Sequence, residues 1–315
     1  MNSFPLWPLI ATFLVGIFSA LQGLAYKYAF TLKNRPLPNA AILNLTMGVA
    51  ALVLLFFSQD TTIYTDYRIY VIAVAQGLAF VGAVYFISKA SDMGFMGIGW
   101  AFLGMSILAV ILGTRIFLGE PLYISDALSL VVFLAMIFLM QDRDPVVKEE
   151  QKSAKKLQIK KNLICAALFF LNAVILIAYR FKKAWFTEFG SDTNSALMAA
   201  VSGFTATIFA LCLHYFMERG ANKKLTKTEW KGGIVVGITL ILIVFFNFPA
   251  MELPAAVMFP ISQGISILGG VALIAVIYKE KLSVYKKWGI FCAFLIILMS
   301  GLREYIAKFL EQILK

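Results

Sequence analysis

Residues 104–122 read GMSILAVILGTRIFLGEPL, and residues 264–282 read GISILGGVALIAVIYKEKL. Set 160 positions apart, Gly104 falls on Gly264, Ser106 on Ser266, Ile107 on Ile267 and Leu108 on Leu268. The same register carries Glu120 onto Glu280 and Leu122 onto Leu282. Each copy reads as a long apolar helix with a small or polar residue early and one acidic residue at its exit. A second apolar segment follows each copy. The pattern predicts a membrane hairpin that the chain contains twice.

Working outward, the duplication extends over most of the chain. The offset of 160 also pairs Gly77 with Gly237 and Tyr85-Phe86 with Phe245-Phe246. An offset of 155 pairs Asn39 with Asn194, Ala41 with Ala196 and Gly48 with Gly203. One of 153 pairs LAYKYA (24–29) with IAYRFK (177–182). Offsets that change only between apolar runs are what loop insertions produce.

Ten runs qualify as membrane spans: 7–26, 39–58, 69–88, 94–114, 123–141, 162–179, 195–217, 232–250, 254–278 and 284–302. Their lengths suit roughly 30 Å of hydrocarbon. Hydrophobic residues are 61% of the chain and charged ones 14%, with the charges gathered between the runs. That excludes a soluble core and makes headgroup contact a better account of the net charge of +11 than nucleic acid. Continuous rather than alternating apolarity excludes a closed β-barrel. Cys165, Cys212 and Cys292 lie in apolar runs and read as packed thiols. The first run has no Lys or Arg before Lys27 and is too long for the apolar region of a cleaved signal, so it reads as the first membrane helix.

The expected organisation is all-α: a first five-helix repeat over 1–141, a basic polar linker over 142–161, a second repeat over 162–302 and an amphipathic C-terminal helix over 303–315. Five spans is an odd number, so the second repeat enters the membrane inverted relative to the first. Inverted repeats are the architecture of many secondary transporters, whose site lies near the midplane between the halves. The links after odd-numbered spans, taken with Lys286 and Lys287 at the start of the last span, carry 20 Lys and Arg against 8 on the other side. The positive-inside rule then places both termini outside a cytoplasmic (inner) membrane and the linker in the cytoplasm.

With two five-span halves and the helix exits FLGEPL (117–122) and YKEKL (278–282), the chain resembles the drug/metabolite transporter superfamily, specifically its ten-helix, EamA-like members. These exits look like the family's Gly-Glu-Arg-Leu-type pattern closing the fourth helix of each repeat, with Lys279 where the pattern has Gly. The resemblance implies a ten-helix carrier whose cavity is lined by spans 1, 3, 4, 6, 8 and 9. It leaves the substrate open, because such families carry amino acids, nucleotide sugars, choline and drugs.

Glu120 and Glu280 each stand just before a new helix, where a carboxylate caps free N–H groups, and read as structural caps. Polar and aromatic residues within spans are the candidates for a substrate pathway. They are Gln22, Tyr26, Gln76, Tyr85, Trp100, Asn172, Tyr179, Asn247, Phe259, Ser262 and Gln263. Amides in lipid need partners or a water-filled cavity; the plainer account is hydrogen bonding between helices, which also suits Ser106 and Ser266. An aromatic in so aromatic a chain is more often packing than ligand contact. Lys27 and Arg180 end spans 1 and 6 and could attract an anion, although snorkelling to the headgroups is the plainer reading.

No Asp or Glu falls mid-span, which argues against drug/proton antiport through a membrane carboxylate. No nucleotide-binding loop, metal-ligand cluster or nucleophile–base pair is present, so the chain reads as neither an enzyme nor a cofactor protein. The expected function is secondary transport of a small polar, zwitterionic or weakly cationic metabolite by alternating access, as a monomer or homodimer with the lipid bilayer as its surroundings. The alternatives are a non-transporting assembly or receptor subunit and a flippase of a lipid-linked metabolite.

Overall fold

The computed structural model describes residues 6–32, 34–57, 66–93, 96–140, 151–185, 191–217, 224–277, 284–301 and 306. These hold α1 (Leu6–Thr31), α2 (Pro36–Phe56), α3 (Tyr67–Asp92), α4 (Met96–Leu118), α5 (Ile124–Met140), α6 (Gln151–Trp185), α7 (Ser191–Met217), α8 (Lys227–Ala250), α9 (Ala255–Ile277) and α10 (Val284–Gly301). No strand occurs among the described residues. Helix is what these runs must form, because lipid offers backbone N–H and C=O groups no partner.

Six of the helices are long and apolar enough to cross a membrane: Leu6–Ala29, Pro36–Phe56, Tyr67–Ala90, Leu157–Lys182, Ala196–Met217 and Lys227–Ala250. Shorter apolar stretches follow at Phe102–Leu118, Ile124–Met136, Ala255–Gly270 and Lys287–Ile296. Large apolar side chains stand bare on the outside, with Phe56 81% and Phe170 67% exposed, as acyl chains rather than water allow. This is a multi-pass membrane protein.

The polar stretch expected to link the halves differs from that reading. From Gln151 it is already helical, so α6 runs for 35 residues. Its lysines, alanine, glutamines and leucine are all good helix formers despite their polarity. The C-terminal segment 303–315 and Glu280 lie outside the described residues, apart from Ile306, which is helical.

Helix pairing closes a ring in the order α1, α8, α2, α7, α3, α6, α4, α9 and back to α1, and no extended pairing of described helices crosses it. Exchanging each helix of the first five with its counterpart five places on reproduces most of the ring. The contact α1·α8 becomes α6·α3, α1·α9 becomes α6·α4, and α2·α8 becomes α7·α3, while α2·α7 and α4·α9 map onto themselves. Burial follows the same exchange along α3 and α8. Positions 69, 73, 76, 77, 83, 84, 87 and 90 are buried, and so are 229, 233, 236, 237, 243, 244, 247 and 250. Outside the ring, α5 packs on α10, and both cover the junction of α4 with α9.

The α2·α7 contact depends on Gly48 and Gly203. A Cβ on Gly203 would meet the Gly48 Cα and the Asn44 carbonyl oxygen at 2.8 Å, so the two backbones touch without side chains between them. Such close approach by small residues is what drives helix association where no hydrophobic effect operates.

Gly203→Ala should therefore destabilise the protein by about 1–3 kcal/mol through overpacking against backbone. Gly270, whose added Cβ would meet nothing within 4 Å, serves as the control. There, Ala should be neutral or stabilising by up to about 1 kcal/mol. Thermal unfolding in detergent separates the two.

Candidate functional site

At its exit α4 ends on Gly119, whose φ of +67° lies in the left-handed region that glycine tolerates. This turn aims Glu120 away from the helix that follows. The first turn of α5 is instead served by Asp126, which accepts from the Tyr123 N–H at 3.0 Å. Glu120 reaches the other half of the chain, where its Oε2 accepts from the Ala255 N–H at 2.7 Å and so caps α9. Its Oε1 lies 3.5 Å from the guanidinium of Arg180.

Arg180, on α6, is 2% exposed and does not snorkel. Its two terminal nitrogens donate to the carbonyl oxygens of Met251 and Leu253, at 3.1 and 2.9 Å, in the turn between α8 and α9. The guanidinium carbon sits 5.4 Å from the ring centre of Phe259. Two residues on, the Lys182 ammonium lies 3.9 Å from the ring centre of Phe248. Cations thus meet the negative end of α8, and a carboxylate meets the positive end of α9. The turn, with Met251 and Leu253 buried and Glu252 exposed between them, thus receives donors from Arg180 and an acceptor from Glu120.

Several of the sequence candidates converge here. Gln76 on α3 hydrogen-bonds the Tyr179 side chain, the residue before Arg180. Phe259 is buried under Arg180, and Ser262 donates to the Phe259 carbonyl at 3.2 Å. Asn247, one turn before the α8–α9 turn, is buried. Asn172, two turns back along α6, donates to the Leu103 carbonyl at 2.8 Å and to Ser106 Oγ at 2.7 Å, joining α6 to α4. Gln22 and Gln263 are half-buried on the neighbouring helices α1 and α9.

Others lie elsewhere. Tyr26 is buried in the apolar cluster around α2 and α7. Tyr85 stands edge-on to Phe86 with Lys89 over its ring, and the side chain of Trp100 is outside the described residues. No group of three His, Cys, Asp or Glu able to hold a metal occurs among the described residues.

Sequence reasoning missed the opposite end of the ring. There Arg35, at the start of α2, makes a bidentate pair with Glu229 at 2.6 and 3.0 Å and donates to the Lys224 carbonyl at 2.9 Å. Asn34 donates to the Thr228 carbonyl at 3.0 Å. Glu229 also accepts from the Thr226 N–H while Thr226 accepts from Glu229 N, a capping box at the start of α8. The TKTE stretch at 226–229 carried that signal in plain sequence. Nothing local pointed to Arg35.

No family model matches the chain, and no curated protein matches it. Among solved structures, 27 chains match. One, described only as the crystal structure of a protein, has a TM-score of 0.69 at 15% identity, covering 95% of this chain and 98% of its own. The likeness shows a shared fold over essentially the whole length of both.

Arg35→Met leaves Glu229, itself 2% exposed, without its cation. The cost should be about 3 kcal/mol, the low end for a broken buried pair, since the Thr226 N–H remains as a partner. Arg35→Met combined with Glu229→Leu should recover most of the loss, and a double-mutant cycle on thermal unfolding reads both values.

Proposed function

We propose that the chain is a secondary transporter with ten membrane-crossing helices in two inverted five-helix repeats, an EamA-like member of the drug/metabolite transporter superfamily. It carries a small polar, zwitterionic or weakly cationic metabolite across the cytoplasmic membrane by alternating access. The observation that carries this reading is the ring, whose pairings survive exchange of the two halves and whose further extended contacts among described residues, α2·α3, α3·α4 and α7·α8, join only helices two places apart along it. Repeats packed in this way have two related arrangements of equal topology, which is the physical requirement for exposing one site to either face in turn.

The chemistry of the interior supports the substrate class. Gln22, Gln76, Asn172, Asn247 and Gln263 offer neutral amides. Arg180 is held by backbone carbonyls and Glu120, and Lys182 lies over Phe248. A polyanion would need cations less deeply engaged than these. With α5 and α10 covering the α4·α9 junction, the ring is shut off from lipid along that seam. This favours a water-soluble substrate over a lipid-linked one. Neither cofactor nor metal enters the cycle, and no bond is made or broken. Both termini lie outside, by the distribution of Lys and Arg.

Thermal unfolding in detergent against amino acids, amines, nucleosides, nucleotide sugars and lipid headgroups identifies the class. A ligand at a hundred times its dissociation constant stabilises by about 2.7 kcal/mol. Amino acids or amines should shift the protein, Gln76→Leu and Gln263→Leu should abolish the shift, and vesicles holding the wild-type protein should show counterflow of the same compound. Binding of a phosphorylated sugar alone would sink the substrate class. A ligand shift untouched by either substitution would move the site out of the ring.

A further inference from the structure

The ring divides into two bodies. On one side α1 packs on α8 and α9, and α2 packs on α8; on the other α6 packs on α3 and α4, and α7 packs on α3. The bodies meet around α2·α7, where Gly48 and Gly203 touch backbone to backbone and α2·α3 and α7·α8 add to the contact, and at α4·α9. The second junction is where the two halves differ. In α4 the positions Ser106, Ile107 and Val110 are all 0% exposed. Their counterparts 160 places on in α9, namely Ser266, Ile267 and Gly270, are half-buried.

Lipid exposure does not explain that contrast, because α5 flanks α4 as α10 flanks α9. Both sets begin at the middle of their helices, so the contrast marks a change that starts midway along α9. Along the first part of α9 every residue from Ala255 to Ser262 is buried. Along α9, packing is tight toward the α8–α9 turn and looser over 265–270, from the middle of the helix on.

The tight end is the one where Glu120 and Arg180 act. Both belong to the second body, just after α4 and on α6, and the hydrogen bonds their side chains make reach the first: Ala255 N, Met251 O and Leu253 O. The corresponding cation of the first body, Lys27, is half-buried where Arg180 is fully buried. We propose that this conformation is closed at the α8–α9 face and open toward the opposite face, with Glu120 and Arg180 as the releasable latch that grips the α8–α9 turn. The inference rests on the transporter reading and names the residues that time its cycle. They act through helix position, so they are positioning residues that need not touch substrate.

Sided labelling tests this in the full chain reconstituted in sealed vesicles of known orientation, with Cys165, Cys212 and Cys292 replaced. A reporter cysteine is placed by Ser262→Cys, in the closed part of α9, or by Ser266→Cys, in the loose part, and probed with a membrane-impermeant maleimide. In the parent protein the 266 reporter should label from the face opposite the α8–α9 turn, and the 262 reporter should resist labelling from the α8–α9 face. Glu120→Gln or Arg180→Gln should raise labelling at 262 from the α8–α9 face by about tenfold or more, as expected if the released state is a minor one of about 10% or less. The same changes should slow labelling at 266 from the other face.

Arg180→Lys keeps the charge but cannot fork to two carbonyls, so it should give an intermediate rate; it carries the test if Arg180→Gln does not fold. Labelling at 262 that ignores all three substitutions overturns the latch. So does a rise equal from both faces, which would mark a merely structural knot. Absence of any sidedness in the parent protein would instead overturn the transporter reading beneath it.

Discussion

A chain that turns back between two helices in apolar surroundings presents carbonyl oxygens and amide hydrogens that neither lipid nor packed hydrocarbon can satisfy. The α8–α9 turn meets this constraint with side chains drawn from the far half of the molecule. Arg180 supplies donors to Met251 and Leu253, and Glu120 supplies an acceptor to Ala255. Because the groups come from another body, satisfying the backbone and joining the two bodies become one act. The buried cluster around Ile107, Val110, Phe259 and Ile261 then packs where the polar groups have already set the register.

The opposite end of the ring solves a similar problem differently. Arg35 and Glu229 hold α2 to α8 within one body, as a brace rather than a junction. Under exchange of the halves Glu229 falls on Ile69, which is fully buried and packs against Ala178, Leu197 and Met198. The helix pairings survive exchange of the halves, while the fastening of this corner does not.

Much of the plan was legible beforehand for a physical reason. Lipid leaves helix as the sole economical choice, so apolar length reads directly as elements, and small residues mark where backbones meet. Gly48 with Gly203 and Gly77 with Gly237, matched by offset alone, are both sites of close helix approach: Gly77 lies against the Ser202 carbonyl and Gly237 against Leu43 and Thr46. What sequence withheld was partnership at a distance. Glu120 reads as a cap, yet the helix it caps begins 135 residues later, and Arg35 and Glu229 are 194 apart. A charge at a helix end declares that it needs a partner without saying which turn will be brought to it. The early start of α6 is hidden for another cause: the residues from Gln151 are polar as a linker is, yet they favour helix.

That early start has a mechanical result. At about 1.5 Å per residue α6 is roughly 52 Å long, against a hydrocarbon layer of roughly 30 Å. Part of it therefore stands clear of the bilayer as a rigid lever, continuous with the helix that carries Asn172, Tyr179 and Arg180 inside. A tilt of a few degrees about its inner end is magnified into a displacement of several ångströms at Gln151.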